Sequence, residues 1–430
     1  MRTFVIIWLG QLVSTVGSQM TGFAVGIWVW ERTGSVTALA GLGLASQLPR
    51  IALSLYAGVL ADRYSRQGLI ILSDCVAAAS TVALGALFWA QALQLWHLYL
   101  VWALNSGFSL LQNLSYSASV AMLVPQAQYA RAASMNSVFH YGSATVAPAI
   151  AGVLYPLVGL AGILAIDWVS FGVAIATLAT QRIPQPERTD SPPAGSESVW
   201  QRFGFGFRYL RGHGGLAALL AATSLFWLAH DLGGALLRPL VLARTDSDAT
   251  VLGWVYSAAG VAGVLSAAII STRGAPQRKL NGLFGGMMGT GVCKTVFGLA
   301  QTPLVWIPAQ FGSSLNFPLM RSTNDTIWLN EVDLAVQGRV FSVRSLSRQV
   351  VGALGLGIAG PLADYAFKPA MQADGWLAPL LGDFFGTGEG AGIALLYVLS
   401  SLCLLLVGIG SQLAWRQWHA VRGWDALGKY

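Results

Sequence analysis

The stretch GVLADRYSRQ, residues 58–67, sets a charged turn between two apolar runs, each long enough to cross a bilayer. Glycine permits close helix approach, Asp62 can face cationic groups or a helix N-terminus, and Arg63 and Arg66 suit lipid headgroups. Such a turn can brace two helices while they slide. Around it almost everything reads as membrane: of 430 residues, 55% are hydrophobic and 10% charged, with a mean hydropathy of +0.60. A soluble chain would carry about a quarter charged residues.

The net charge of +7 raises nucleic acid as a partner. The basic residues, however, fall in short loops between apolar spans, where they act as topology signals and form no binding patch. Cys75, Cys293 and Cys403 each lie inside a different apolar run and are expected as buried, small hydrophobes, forming neither a disulfide nor a metal site. No nucleotide-binding loop or soluble domain is visible, so energy is expected from a gradient; the reading is a transporter without a cofactor and not an enzyme. Residues 4–30 are too long and lack the small-residue cleavage pattern of a signal peptide, which makes them a retained first helix.

Taken in order, the chain offers twelve apolar segments near the roughly 20 residues a spanning helix needs. Their limits are 4–31, 37–61, 68–90, 94–123, 131–158 and 161–180, then 214–243, 249–272, 280–300, 303–329, 339–367 and 388–416. With the N-terminus inside, Arg2, Arg63, Arg66, Arg131, Arg182 and most other basic residues fall on the inner side, against Arg32, Arg244 and Lys368 outside. That asymmetry places both termini in the cytoplasm. The polar stretch 181–213 divides an N-terminal bundle, 1–180, from a C-terminal one, 214–430. Within it Trp200, Phe203, Phe207 and Leu210 at helical spacing, with Arg202, Arg208 and Arg211, suggest an amphipathic helix on the inner membrane face; the start of the seventh span is the alternative.

The halves resemble each other. Arg131-Ala132-Ala133-Ser134 maps onto Arg339-Val340-Phe341-Ser342 at an offset of 208 residues, and the same offset carries Ala151-Gly152-Val153-Leu154 onto Ala359-Gly360-Pro361-Leu362. Inverted or parallel repeats of this kind mark secondary transporters. Around residues 272–279 the copy of the opening turn keeps Arg273, Arg278 and Lys279 but has no acid, so a latch on Asp62 works on one side only.

Gly58, Leu60, Ala61, Asp62, Arg63 and Arg66 resemble the G-x-L-A-D-R-x-x-R signature of major facilitator superfamily transporters, whose conformational switch it forms. Within that superfamily the chain resembles the macrolide-efflux and enterobactin-exporter branch. The resemblance rests on Gly10, Ser14 and Gly17, on Thr33-Gly34-Ser35, on residues 133–137, on Asp167, on residues 206–210, and on residues 337–342 followed by Gly360-Pro361-Leu362-Ala363-Asp364. It implies an all-α membrane protein of the major facilitator fold, with twelve transmembrane helices in two pseudo-symmetric six-helix bundles. It also assigns Gly58, Asp62, Arg63, Arg66, Arg339, Gly360 and Asp364 to the switch. The arginine that many drug/proton antiporters carry in span four is missing from Trp102-Ala103-Leu104-Asn105-Ser106-Gly107, and the span-five signature survives loosely as Gly142, Pro148 and Gly152.

Ionisable residues inside spans cost several kcal/mol unless they are paired or wet, so they carry the chemistry. Asp231, in the middle of span seven beside Trp227 and His230, has no evident partner; burial favours its protonated form, and it is the first candidate for the proton-responsive acid. Asp325, Arg344, Arg50 and Asp74 are further coupling candidates: Asp74 and Arg50 are expected to pair, as are Asp325 and Arg344. Asp167 is expected to stabilise a helix N-terminus, and Lys294 to snorkel from the outer end of its helix.

The substrate path is expected along Gln11, Gln19, Asn105, Gln112, Asn113, Trp227, His230, Asn316, Arg321, Asn324 and Arg348, near the midplane where transporter sites lie. Arg321 and Arg348 together would favour an anionic substrate. The outer stretch 364–388 is either an interfacial cap or a passive loop. The reading is a monomeric secondary transporter of the bacterial cytoplasmic membrane, exporting an amphipathic drug, siderophore or secondary metabolite in exchange for protons. A lipid or lysophospholipid flippase and a non-transporting membrane sensor are the alternatives.

Overall fold

The structure is a computed structural model that describes residues 2–54, 65–181, 199–274 and 278–422. Among the described residues there is no strand, and the helices are α1 (Arg2–Thr33), α2 (Val36–Ser54), α3 (Arg66–Trp89), α4 (Leu95–Leu123), α5 (Tyr129–Ala179), α6 (Val199–Gly212), α7 (Gly214–Arg244), α8 (Ala249–Arg273), α9 (Lys279–Leu299), α10 (Pro303–Glu331), α11 (Gln337–Pro361), α12 (Ala378–Phe385) and α13 (Glu389–Arg422). The fifth and sixth expected spans are the two arms of α5, which turns at Gly159 with φ 62° and ψ −168°. Only glycine adopts that geometry without a steric cost. Eight of the described helices are long and apolar enough to cross a membrane. α4, α9 and α10 are long enough but richer in polar residues and glycine.

The chain forms two compact units, Met1–Gly195 with Thr245–Ser257, and Ser196–Arg244 with Ala258–Tyr430. The stretch 181–213, read as a separate linker, contributes α6 to the second unit, while the first turns of α8 pack with the first.

In the first unit, α1 lies against both arms of α5, and small residues set how close they come. A Cβ on Gly10 would collide with the Thr177 side chain, and one on Gly17 would meet Ser170 and, at 2.9 Å, an Asp167 carboxylate oxygen. In lipid such close packing replaces the hydrophobic effect as the force between helices. Gly152 and Gly253 cross in the same way: a Cβ on either would meet a carbonyl oxygen, of Ala249 at 2.8 Å or of Pro148 at 2.7 Å.

In the second unit, Phe226, Leu283, Trp328, Val340 and Val343 are fully or almost fully buried in one cluster. α6 belongs to that core rather than lying only on a membrane face. Leu210 is buried, Phe203 packs on the cluster, and Gly206 sits against the Arg339 carbonyl and Val343. Phe207, expected on the same face, is 53% exposed, because the inward stripe runs through Phe203, Gly206 and Leu210 instead.

The outer stretch is helical over Leu362–Phe367, Lys368–Ala370 and Ala378–Phe385, with turns over 371–377 between. Leu362–Phe367 is a π-turn, Asp364 pairs with Lys368 at 3.0 Å, and Arg244 donates to the Phe385 carbonyl of α12 at 3.1 Å. The three cysteines are free thiols, but Cys75 and Cys403 face outward instead of being buried, since each falls on the outer side of its helix.

A close approach between α9 and α13 in the second unit generates a test. A Cβ on Gly291 would sit 2.7 Å from the Leu405 amide nitrogen, whereas nothing lies within 4 Å of one on Gly285. Gly291→Leu is expected to cost about 1–3 kcal/mol by overpacking and to lower the melting temperature of the purified protein by several degrees. Gly285→Leu, one helix face away, is expected to leave it unchanged.

Candidate functional site

The first unit encloses a cavity of about 670 Å³ lined by α1, α2, α3, α4 and both arms of α5. Its polar lining follows from helical spacing. Gln11, Ser14, Ser18 and Thr21 recur every three or four residues on α1, and Asn105, Ser109, Gln112 and Tyr116 do so on α4. All five first-unit candidates for the substrate path, Gln11, Gln19, Asn105, Gln112 and Asn113, stand on this lining.

Two carboxylates line it too, and both are 2% exposed. Asp167 lies well inside the second arm of α5, not at a helix N-terminus. It accepts from the Thr21 hydroxyl at 2.7 Å, Ser18 at 3.2 Å, Thr81 at 3.4 Å and Ser170 at 3.4 Å. Gly17 makes this possible, because the absent side chain lets α5 bring Asp167 against α1.

Asp74, on α3, accepts from the Gln11 amide at 2.8 Å and the Gln112 amide at 2.7 Å. Gln112 also donates to the Gln11 carbonyl at 3.0 Å, which closes a ring of three side chains. The expected Arg50–Asp74 ion pair does not form among the described residues. Arg50 lines the cavity but is exposed, and two amides already occupy the carboxylate. Among the described residues both acids are therefore held by neutral donors alone. Buried charges ordinarily find a countercharge.

Two more polar atoms on this lining are unmet. The Tyr116 hydroxyl and the Asn136 side-chain oxygen are buried without a hydrogen-bond partner.

The second unit treats its acids differently. Asp231 does have a partner: Arg348 donates to both its oxygens, at 2.6 and 3.2 Å, and His230 Nδ1 lies 3.2 Å away. The Arg348 guanidinium also stacks over Trp227 at 4.2 Å, and His230 meets Trp227 and Phe317 edge-on at 5.0 and 4.9 Å. A guanidinium clamped on both carboxylate oxygens favours the ionised acid and opposes its protonation. This weakens the case for Asp231 as the proton-responsive acid. Arg344 pairs with Asp325 and lies over Trp328, while Arg321, 3.9 Å from Asp325, is 80% exposed. Because Arg321 and Arg348 each face a carboxylate, the grounds for an anionic substrate fall away.

Asn316 donates to the Gly312 carbonyl one turn back, and Asn324 accepts from Trp328, so both are used within α10. Lys294 was expected to snorkel but is 4% exposed, with its ammonium 5.8 Å above the Tyr397 ring. Its position near a helix end disclosed depth, not that it points toward α13.

The expected switch residues are not one cluster. Gly58, Asp62 and Arg63 lie outside the described residues. Arg66 donates to the Ala118 carbonyl at 2.9 Å, and Arg339 covers the Phe205 ring at 4.9 Å. Gly360, buried, stands at the other end of α11, about 32 Å from Arg339 at 1.5 Å per residue, and Asp364, paired with Lys368, lies just beyond that end.

The profile of a family described as transmembrane secretion effector matches residues 1–308. Macrolide efflux protein A of Streptococcus pyogenes is 25% identical over 365 residues, covering 84% of this chain and 89% of that protein. Multidrug efflux pump Tap of Mycobacterium bovis is 25% identical over 380 residues, covering 84% and 87%. A solved bacterial homologue of the human lysosomal transporter Spinster, in an inward-facing and unoccupied conformation, superposes with a TM-score of 0.70 at 14% identity over 96% of both chains. That likeness concerns the fold.

A double-mutant cycle tests the Asp231–Arg348 contact. Asp231→Asn and Arg348→Gln are each expected to lower thermal stability, and the double variant to lose less than their sum, with a coupling of about 1 kcal/mol or more. Additive losses would show that the pair contributes nothing as a pair.

Proposed function

The chain belongs to the transmembrane secretion effector family of the major facilitator superfamily, and from that premise we propose that it exports amphipathic small molecules across the bacterial cytoplasmic membrane in exchange for protons. The family makes it a multi-pass membrane transporter, not an enzyme. The likeness to a macrolide efflux protein and a multidrug pump supports export of drug-like compounds. With no nucleotide-binding loop in the sequence, a gradient supplies the energy, through alternating access of a monomer with both termini in the cytoplasm.

One observation carries the reading: a cavity of about 670 Å³ in the first unit, faced by two buried carboxylates held by neutral donors. A proton-coupled carrier needs an acid that gains and loses its proton within the membrane without stranding a countercharge. Protonating an acid locked to arginine strands the guanidinium charge; among the described residues no such partner faces Asp74 or Asp167. Asp74 and Asp167 therefore replace Asp231 as the coupling candidates. The aromatic lining, with Trp102, Tyr116, Phe139 and Phe171, suits the apolar part of a drug-sized molecule.

Proteoliposomes loaded at acidic pH and diluted into neutral buffer test this. They are expected to accumulate a labelled macrolide or tetraphenylphosphonium, and to stop when the pH gradient is collapsed. Asp74→Asn and Asp167→Asn should each cut accumulation by about tenfold or more, while Asp231→Asn keeps at least about a third. Accumulation that ignores the gradient contradicts the proposal. So does a transport defect confined to Asp231→Asn. Gradient-independent movement of a labelled lysophospholipid, with no movement of the drugs, would point to a flippase.

A further inference from the structure

Asp74 and Asp167 line the same cavity and are buried alike, but their hydrogen-bond donors differ in kind, and on this difference we infer that the two acids divide the work: Asp74 is the receptor for a cationic group on the substrate, and Asp167 carries the exchanged proton. The inference rests on the exporter reading for its setting and deepens it by naming the substrate class, a lipophilic cation.

Asp167 is surrounded by hydroxyls, from Ser18, Thr21, Thr81 and Ser170. A hydroxyl donates one hydrogen bond and accepts through two lone pairs. Around a carboxylate Ser18, Thr21 and Thr81 can donate, while the single Ser170 proton goes to the Asp167 backbone carbonyl at 2.7 Å and leaves the Ser170 oxygen able to accept. When the acid takes up a proton, one hydroxyl turns and accepts from the new O–H. The same cage therefore serves both protonation states without moving a helix, which is what a proton carrier requires.

Asp74 meets two amide N–H donors, and the Gln11 carbonyl is already engaged by Gln112. Amide nitrogens only donate. For a protonated Asp74 to find an acceptor, one of the two amides must turn over, which breaks the Gln112–Gln11 bond that closes the ring. The ring thus suits the carboxylate, and a standing negative charge on a cavity wall attracts a cation.

The remaining groups on the lining agree. The Tyr116 hydroxyl and Asn136 oxygen are two buried polar atoms on the lining with no hydrogen-bond partner among the described residues. Trp102, Phe139 and Phe171 add aromatic surface to the lining, of the kind that suits a cation with apolar substituents. The charged and titratable groups facing the cavity besides the two acids are Arg50 of α2 and the phenol of Tyr116 on α4; α1 and α5 otherwise present neutral side chains. Arg50 is exposed, and its charge opposes a bound cation.

The test is equilibrium binding of tetraphenylphosphonium, whose charge does not titrate, to purified full-length protein without any gradient. Asp74→Asn is expected to weaken binding by about tenfold or more, Asp74→Glu to stay within about threefold of wild type, and Arg50→Gln to tighten it. Asp167→Asn is expected to keep gradient-free exchange of the probe across proteoliposomes while losing its accumulation in a pH gradient. Wild-type binding by a monodisperse Asp74→Asn protein overturns the proposal. So does equal loss in Asp74→Asn and Asp74→Glu, or loss of gradient-free exchange in Asp167→Asn. Gradient-driven transport with unaltered binding in Asp74→Asn sinks the division of work but leaves the exporter reading. Weakened binding in that variant, with no gradient-driven transport by wild type, sinks the exporter reading and leaves Asp74 as a cation receptor.

Discussion

A carboxylate carried into a membrane span must be met by hydrogen bonds or by a cation, and the two units of this protein meet that demand in opposite ways. In the second, Asp231 and Asp325 are held by Arg348 and Arg344. In the first, Asp74 and Asp167 are held by amides and hydroxyls, with no cation on them among the described residues. Ion-paired acids fix helices to each other, since moving either partner strands a charge. Acids held by neutral donors keep a charge available to a ligand or a proton. The second unit thus reads as a braced half and the first as the half that bears the chemistry.

That arrangement depends on backbone proximity more than on the acids themselves. Asp167 reaches the hydroxyls of α1 only because Gly17 has no side chain, and Gly10 keeps the same two segments together two turns away, against Thr177. The turn at Gly159 folds the second arm of α5 back so that its polar face meets α1. Sites of this kind are built by small residues first and decorated by polar ones afterwards.

Much of this was legible in the sequence. The apolar spans, the small residues Gly10, Ser14 and Gly17, and the acids at depth are all visible in one dimension. The polar stripes of α1 and α4 were equally visible as a three-to-four-residue period, and they signal the cavity better than any single residue does. What the sequence withheld is azimuth. Depth along a helix follows from counting, but which neighbour a side chain faces depends on packing between distant segments. Asp231 and Arg348, 117 residues apart, looked separate for that reason. Asp167, counted from its span boundary, passed for a helix-terminal acid, and Lys294 for a snorkelling one.

The central claim is that proton and cationic substrate meet on the acids of the first-unit cavity. Proton release on binding tests it most directly: tetraphenylphosphonium is added to weakly buffered, purified protein under mildly acidic conditions, and the change in pH is followed. The account predicts that wild type releases protons as the cation binds and that Asp167→Asn binds without release. Binding with no proton release by wild type, or undiminished release by Asp167→Asn, would contradict it.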